Sequence, residues 1–369
     1  MMKLSSLKKI FIAKPTSGFT LTELLVSIII GGLIVSSVTA IMSDIVRASK
    51  REEVETNTEK DIQRALNFIE NDIEKAAYVY TGEQIREKRG AIAAIQDHFD
   101  VATDYQIVLA FWKPERIPYT PQGAKIPQSC KDGSGNIHPD LDADATIEQC
   151  QTLQAEQRTY TLVLYLQDNN PPNLKDGQSL IRRYELRRYS ETDTYTNSGE
   201  DYLTLKTSEN VSGKEIYVDP IKQAAGFSKW PYDNNDFDLQ EATPTIDDDT
   251  TEVLVGFVDD PTNKVGNLPI CLDEDSNNNG RLDTGEDTNG NGGLDIYSRT
   301  PDQSTSFFAC VRQADRQGNF SQGNQDVLLY LRGNPDGRSG YRVNNNADTA
   351  LPTLQTRVML RGVIDKFLN

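Results

Sequence analysis

Histidine is scarce: His98 and His138 are the two in 369 residues. A multi-histidine metal centre is therefore excluded, and both lie in polar stretches, where histidine is usually a surface residue. Cationic charge is also short, with 38 Lys and Arg against 55 Asp and Glu, a formal charge of −17. That sign does not suit a chain that holds nucleic acid by neutralising phosphates, so no nucleic-acid partner is expected. Nor does it suit adsorption to anionic lipid through surface charge. The apolar fraction of 37% is below that of an ordinary globular chain. Yet 16 Pro and 25 Gly punctuate apolar segments along the whole length, which fits a loop-rich folded protein better than disorder. Catalytic signatures are missing. There is no Gly-x-Ser-x-Gly, no His-Glu-x-x-His and no Walker loop, and Val211-Ser212-Gly213-Lys214-Glu215 has neither the spacing nor the Ser/Thr of one. Carboxylates are too plentiful for any pair to mark a glycosidase dyad. An enzyme is not expected.

What the sequence does have is concentrated at its front. Residues 1–18 carry Lys3, Lys8, Lys9 and Lys14 and no acid, a local charge of +4. Phe19–Met42 follows, 24 residues with one ionisable side chain, Glu23. As a helix this stretch is about 36 Å long, enough to cross a hydrocarbon core of about 30 Å. The preceding lysines place residues 1–18 in the cytoplasm and everything after Met42 outside. The run is too long for the apolar core of a secretory signal, about 7–15 residues, and its charge sits where that core would begin. A lipoprotein signal needs a Cys just past the run, and the first is Cys130. A plain uncleaved anchor fits the hydropathy but leaves Glu23 only the role of reaching the headgroups. A carboxylate at mid-bilayer costs roughly 2.5–3.5 kcal/mol, so it calls for a function.

Lys14-Pro15-Thr16-Ser17-Gly18-Phe19-Thr20-Leu21-Thr22-Glu23-Leu24-Leu25-Val26 resembles the class III signal of type IV prepilins and type II secretion pseudopilins. In that family a prepilin peptidase in the membrane cuts after the Gly and N-methylates the new terminus. The resemblance implies cleavage after Gly18 and methylation of Phe19. It makes Glu23 the assembly residue, paired with the terminal amine of a neighbouring subunit. A buried carboxylate and a buried ammonium are each costly alone, and together they offset one another and set a register. The implied partners are other pilins or pseudopilins, the inner-membrane assembly platform and the peptidase.

The family plan is an α+β fold: a long N-terminal helix, its first half in the membrane, packed on a largely antiparallel β-sheet head. The residues agree. No Pro or Gly interrupts the chain between Leu33 and Gly82. Ile62, Leu66, Ile69 and Ile73 recur at spacings of four, three and four, an amphipathic helical stripe. One helix through to Val79 and two helices joined near residues 43–60 both satisfy this pattern. Gly31 and Gly32 permit close helix approach and equally a soft point. From Gly82 the helical period fades. Short apolar or alternating runs at 105–112, 160–167, 180–188, 253–258, 307–311, 327–331 and 357–364 predict strands. The alternation of 180–188 predicts one buried and one wet face. Four segments result: leader 1–18, membrane helix 19–42, amphipathic helix 43–80, and a β-rich head 81–369 with an insertion at 271–310.

A narrower likeness is carried by residues 61–80, 162–169, 180–186, 327–334 and 354–366. They resemble the pseudopilins of cyanobacterial hormogonium polysaccharide secretion, which are similar to J-type pseudopilins and W-type minor pilins. This implies a minor pilin or pseudopilin, in initiation or at the tip, that supports polysaccharide secretion and gliding from the plasma membrane. The other functional expectation is a tip adhesin or glycan-binding pilin. The aromatic run 227–237 is its candidate contact, although a packed loop anchor explains that run as well.

Cys130, Cys150, Cys271 and Cys310 all fall on the extracytoplasmic side, where disulfides persist. Three pairings are possible. Cys130–Cys150 and Cys271–Cys310 are favoured because each closes a local excursion, while free buried thiols are the alternative. Within the second excursion, Asp275-x-Asn277-x-Asn279-Gly280-Arg281-x-Asp283-x-x-Glu286 fills a 12-residue calcium loop. Side-chain oxygens stand at the first, third, fifth and ninth positions, the Arg281 carbonyl at the seventh, a turn glycine at the sixth and a bidentate-capable Glu at the twelfth. Asp287, Asn289, Asn291, the Gly293 carbonyl and Asp295 begin a second, weaker loop with Ser298 in the twelfth place. The two resemble EF-hand-like and dockerin-like loops, with Leu282 and Leu294 as inward anchors, and imply a structural Ca²⁺. A solvated acidic linker is the bland reading of the same residues.

Overall fold

The computed structural model describes residues 18–87, 94–142, 145–172, 174–175, 177–190, 192–205, 210–211, 214–220, 226–230, 243–263, 268–276, 283, 285–288, 294–312, 325–340 and 351–361. The chain divides into two compact units, residues 1–53 and 54–369.

A single helix α1, Leu21–Ile73, fills 53 residues. In the first unit its apolar side chains stand open, Leu21 at 82%, Ile28 at 66% and Val46 at 46% exposure. Among the described residues this is the helix long and apolar enough to cross a membrane. In the second unit the pattern reverses: Ile62, Leu66, Ile69 and Ile73 are buried to 1% exposure or less. Each stabilises the head by roughly 1.5–3 kcal/mol through removal from water. The helix stops at Ile73, short of the Tyr80 end that its sequence suggests. Lys75 and Ala76 bend the chain back through N–H bonds to Asp72 and Ile73. The Ala77 N–H then joins the Trp112 carbonyl at 2.7 Å, and the aromatic and β-branched pair Tyr78–Val79 becomes a strand, as such residues favour.

The strands, in chain order, are β1 (Tyr78–Val79), β2 (Asp100–Val101), β3 (Tyr105–Arg116), β4 (Arg158–Asp168), β5 (Gln178–Leu186), β6 (Thr194–Asn197), β7 (Glu200–Leu203), β8 (Asn210–Val211), β9 (Lys214–Glu215), β10 (Thr245–Ile246), β11 (Glu252–Asp259), β12 (Tyr297–Thr300), β13 (Phe307–Arg312), β14 (Asp326–Arg332) and β15 (Thr353–Met359). Two antiparallel sheets dominate, β1-β3-β4-β5-β11 and β12-β13-β14-β15. The pair β2–β10 is parallel. The main core lies where the buried stripe of α1 meets both sheets: Val108, Leu109, Phe111, Val163, Tyr165 and Ile181 from one, and Phe307, Ala309, Val327, Leu329 and Val358 from the other. The opposite face of the larger sheet carries a second core around Trp112, Leu164, Tyr184 and Trp230.

Three sequence expectations change. First, the face of β5 read as wet is covered. Arg182 is 5% exposed and pairs with Asp168 at 2.9 Å, while Arg183 pairs with Asp72 of α1. The two arginines fall on opposite faces, Arg182 with Tyr184 and Leu186 on one and Arg183 with Ile181 on the other, and pairing covers both. Second, the last strand begins at Thr353, four residues before the expected Arg357, and residues 362–364 lie outside the described ones. Third, Ile147–Glu156, which shows no long apolar period, is a helix, α2. A reciprocal capping box between Thr146 and Gln149 starts it, and Gln157 in a left-handed conformation ends it.

Candidate functional site

Gly18, Phe19 and Thr20 are exposed and non-helical, so the bond after Gly18 lies outside α1. Residues 1–17, Lys14 among them, lie outside the described residues. Glu23 closes the first turn. Its Oε2 accepts the Thr20 N–H at 3.0 Å and the Thr20 hydroxyl at 2.9 Å, and the Glu23 N–H donates back to Thr20 Oγ1 at 3.3 Å. This reciprocal box satisfies donors that a helix start leaves open, and it places the acid where the helix dipole favours negative charge. Thr20-x-x-Glu23 was a visible signature, so this local role was legible from sequence. Further along, hydroxyls bond back to the helix: Ser27 to the Glu23 carbonyl at 2.7 Å, Ser37 to Leu33 at 2.8 Å, and Thr39 to Val35 at 2.8 Å. Satisfying polar groups within the segment is what an apolar medium demands. Apart from the adjoining residues and the helix's own backbone, no described atom lies within 4 Å of a Cβ built on Gly31 or Gly32.

Where α1 enters the head core, a charged group ties it to the larger sheet. Asp72 accepts from Tyr165 Oη at 2.8 Å and from Arg183 Nε at 2.9 Å, with Lys113 Nζ at 3.4 Å. Glu185 lies between Arg183, Lys113 (3.0 Å) and Arg187 (2.8 Å). Burial pushes the Glu185 carboxyl up, but Arg183 and Lys113, helped by Arg187, outweigh it and hold it down at about 2. Sequence reasoning missed this cluster, because Asp72 and Lys113 are far in sequence from Tyr165, Arg183, Glu185 and Arg187 and nothing local links them.

The structure pairs Cys130 with Cys150 and Cys271 with Cys310, at Cα separations of 5.7 and 5.4 Å. Of the first acidic loop, Asp275, Asp283 and Glu286 are described, while Asn277, Asn279, Gly280, Arg281 and Leu282 lie outside the described residues. Of the second, Asp287, Leu294 and Asp295 are described and Asn289, Asn291 and Gly293 are not. Among the described residues no three His, Cys, Asp or Glu gather to hold a metal. The two ends of the first loop are nevertheless held together. Ser276 Oγ donates to Glu286 Oε1 at 2.7 Å, and Glu286 Oε2 accepts the Asp283 N–H at 3.0 Å. The donor set that the sequence offers is all oxygen, as a hard cation requires.

The aromatic run is an anchor in its described part. Phe227 and Trp230 are 3% and 1% exposed, and Trp230 packs edge-on against Trp112 at 5.2 Å. These rings offer no open face to a sugar. Residues 231–237 lie outside the described ones.

The family description "Prokaryotic N-terminal methylation motif" matches residues 14–39. No curated protein and no solved structure matches the chain. The motif leads into an exposed apolar helix, which is followed by a head of antiparallel sheets. Together these support a type IV pilin-like protein, a pilin or pseudopilin subunit. The motif is that of a structural family, not a catalytic one. It implies processing by the prepilin peptidase and assembly with other pilins, and with the apolar helix it supports membrane anchoring.

Proposed function

We propose that this chain is a minor pilin or pseudopilin of a type IV pilus-like or type II secretion-like machine. It enters the inner membrane with residues 1–18 cytoplasmic and the head outside. It is cut after Gly18, methylated on Phe19, and assembled through the helix 19–42 with Glu23 facing a neighbour's terminal amine. The observation that carries this is the methylation motif at 14–39 running into a helix whose apolar side chains are uncovered. The large loop-rich head favours a place in initiation or at the tip, where few copies are needed. Glu23→Ala tests the assembly role. The variant is expected in the membrane fraction and absent from sheared filaments, and normal filament entry would refute it.

The segments that resemble polysaccharide-secretion pseudopilins form the end of α1 with β1, β4, β5, β14 and β15, the elements around the main core. On that likeness the machine served is one for polysaccharide export and gliding. A deletion strain that exports and glides normally would refute this narrower reading. The first acidic loop binds one structural Ca²⁺ through Asp275, Asn277, Asn279, the Arg281 carbonyl, Asp283 and Glu286. Its support is the ligand spacing and the Ser276–Glu286 bond that draws the loop ends together. Calorimetric titration of the detergent-solubilised chain with Ca²⁺ tests it, and absence of heat would refute it.

A further inference from the structure

The five-stranded sheet is sealed at one edge and open at the other. At β1 the buried Gln325 side chain stands where a further strand would. Its Oε1 accepts the Val79 N–H at 3.0 Å and its Nε2 donates to the Val79 carbonyl at 2.6 Å. At β11, among the described residues, closure is confined to the far end. There Val258 pairs with Gly333, and the Asn334 N–H bonds the Phe257 carbonyl at 2.6 Å. Over 252–256 β11 ends the sheet, and no described strand lies beyond it. An open strand edge is a template for another chain, and proteins that avoid such pairing commonly place Lys or Pro there. Val253-Leu254-Val255-Gly256-Phe257-Val258 has neither.

The open stretch forms one wall of a groove of about 510 Å³, and α1 forms the other. Ala65 and Phe68 line the helical side, Val253 and Val255 the strand side. Among the described residues of the head, four large apolar side chains stand exposed, and two of them, Phe68 and Val253, lie in this groove. Two arginines tie the helix to the sheet around it. Arg338 pairs with Asp61 of α1 and lies 5.1 Å over the Phe257 ring of β11. Arg183 of β5 pairs with Asp72 of α1 and lies 5.6 Å over the Phe68 ring. Phe257 holds a left-handed backbone, φ 58°, unfavourable for a bulky residue, within a register shift of β11 against β5. Such a bulge bends a strand and re-aims its side chains. The groove is therefore preformed, and an occupant does not have to open it.

We propose that this groove docks an extended segment of another pilin-like subunit. The segment adds to β11 as a sixth strand and sets apolar side chains, at every second position, against Phe68 and Val253. The helical wall belongs to the unbroken helix Leu21–Ile73, which also carries the segment through which the motif implies assembly. A neighbour packed along α1 is thus the occupant the fold offers, whereas a small apolar molecule would leave the β11 edge unpaired. The proposal rests on the pilin reading, and its test separates the two. A photo-crosslinking amino acid, p-benzoylphenylalanine, is placed at Phe68 or at Val253 of the full-length chain in its native membrane, and the adducts are identified by mass. Both positions are expected to capture the same protein, itself bearing a prepilin motif. Val253→Lys abolishes the adduct from position 68 and Phe68→Lys the adduct from position 253. Ile270→Lys, exposed but outside the groove, keeps both. The urea midpoints of these variants stay at the wild-type value; Phe68→Ser and Val253→Thr replace any lysine variant that shifts it. Amide exchange at 252–256 is fast in the free chain in detergent and slow in the adduct from position 68. Adducts with lipid alone or with a second copy of this chain, adducts that survive the lysine variants, or an edge already protected in the free chain would overturn the proposal. A chain cut after Gly18 and present in filaments, yet without adducts from 68 or 253, fails the groove alone. One that still begins at Met1 fails the pilin reading and this occupant with it.

Discussion

Glu185→Gln probes the joint between the helix and the head. Glu185 is half-buried among Arg183, Lys113 and Arg187, and two of these cations also hold Asp72 on α1. Its carboxyl is held down at about 2 from an ordinary 4.5. At about 1.36 kcal/mol per pH unit this amounts to roughly 3 kcal/mol of stability, in line with the roughly 3–5 kcal/mol lost when one partner of a buried pair is removed. The folded value lies below the unfolded one, so the contribution is complete above about pH 4.5 and is lost as pH falls toward 2. Urea unfolding followed by tryptophan fluorescence suits the measurement, because both tryptophans, Trp112 and Trp230, are buried in the head at 0% and 1% exposure. The variant should lose roughly 3 kcal/mol at pH 7, and the gap to wild type should close between pH 4.5 and 2. Equal stability at pH 7, or a gap that persists at pH 2, would refute the reasoning.

Replacing both cysteines of one pair with Ser should cost about 3 kcal/mol for Cys130–Cys150 and about 4 for Cys271–Cys310 by loop-closure entropy, given separations of 20 and 39 residues; the same urea titration reads both. Gly82→Ala would put a Cβ 2.2 Å from the Arg299 carbonyl oxygen, so overpacking should destabilise the head by about 1–3 kcal/mol, and an unchanged midpoint would contradict that packing. Thr20→Val removes the hydroxyl that bonds Glu23 and should cost the helix start about 1 kcal/mol, seen as faster amide exchange at residues 21–24 in micelles.

The architecture was legible wherever one local pattern governed the outcome. The long helix follows from a stretch free of Gly and Pro after residue 32, and its buried half from Ile62, Leu66, Ile69 and Ile73. The helix end was not legible, because Tyr78 and Val79 are claimed by Phe111 and Trp112, partners distant in sequence. The short helix α2 was announced by Thr146-x-x-Gln149, a cap too brief to register as a period. At β5, alternation located the strand but misjudged its second face, since pairing with Asp72 covers Arg183. In the acidic excursion, composition made every carboxylate look alike. Pairing sets two of them apart: Glu274 accepts from Thr288 and the Asp295 N–H and Asp295 balances Arg312, whereas burial does not, since Asp275 of the first loop is as covered as Asp295.

The mass of the amino-terminal peptide of the native protein bears most directly on the pilin reading. A chain that begins at Phe19 and carries one extra methyl group on its amine is the predicted result. A chain that begins at Met1, or is cut anywhere other than after Gly18, would contradict it.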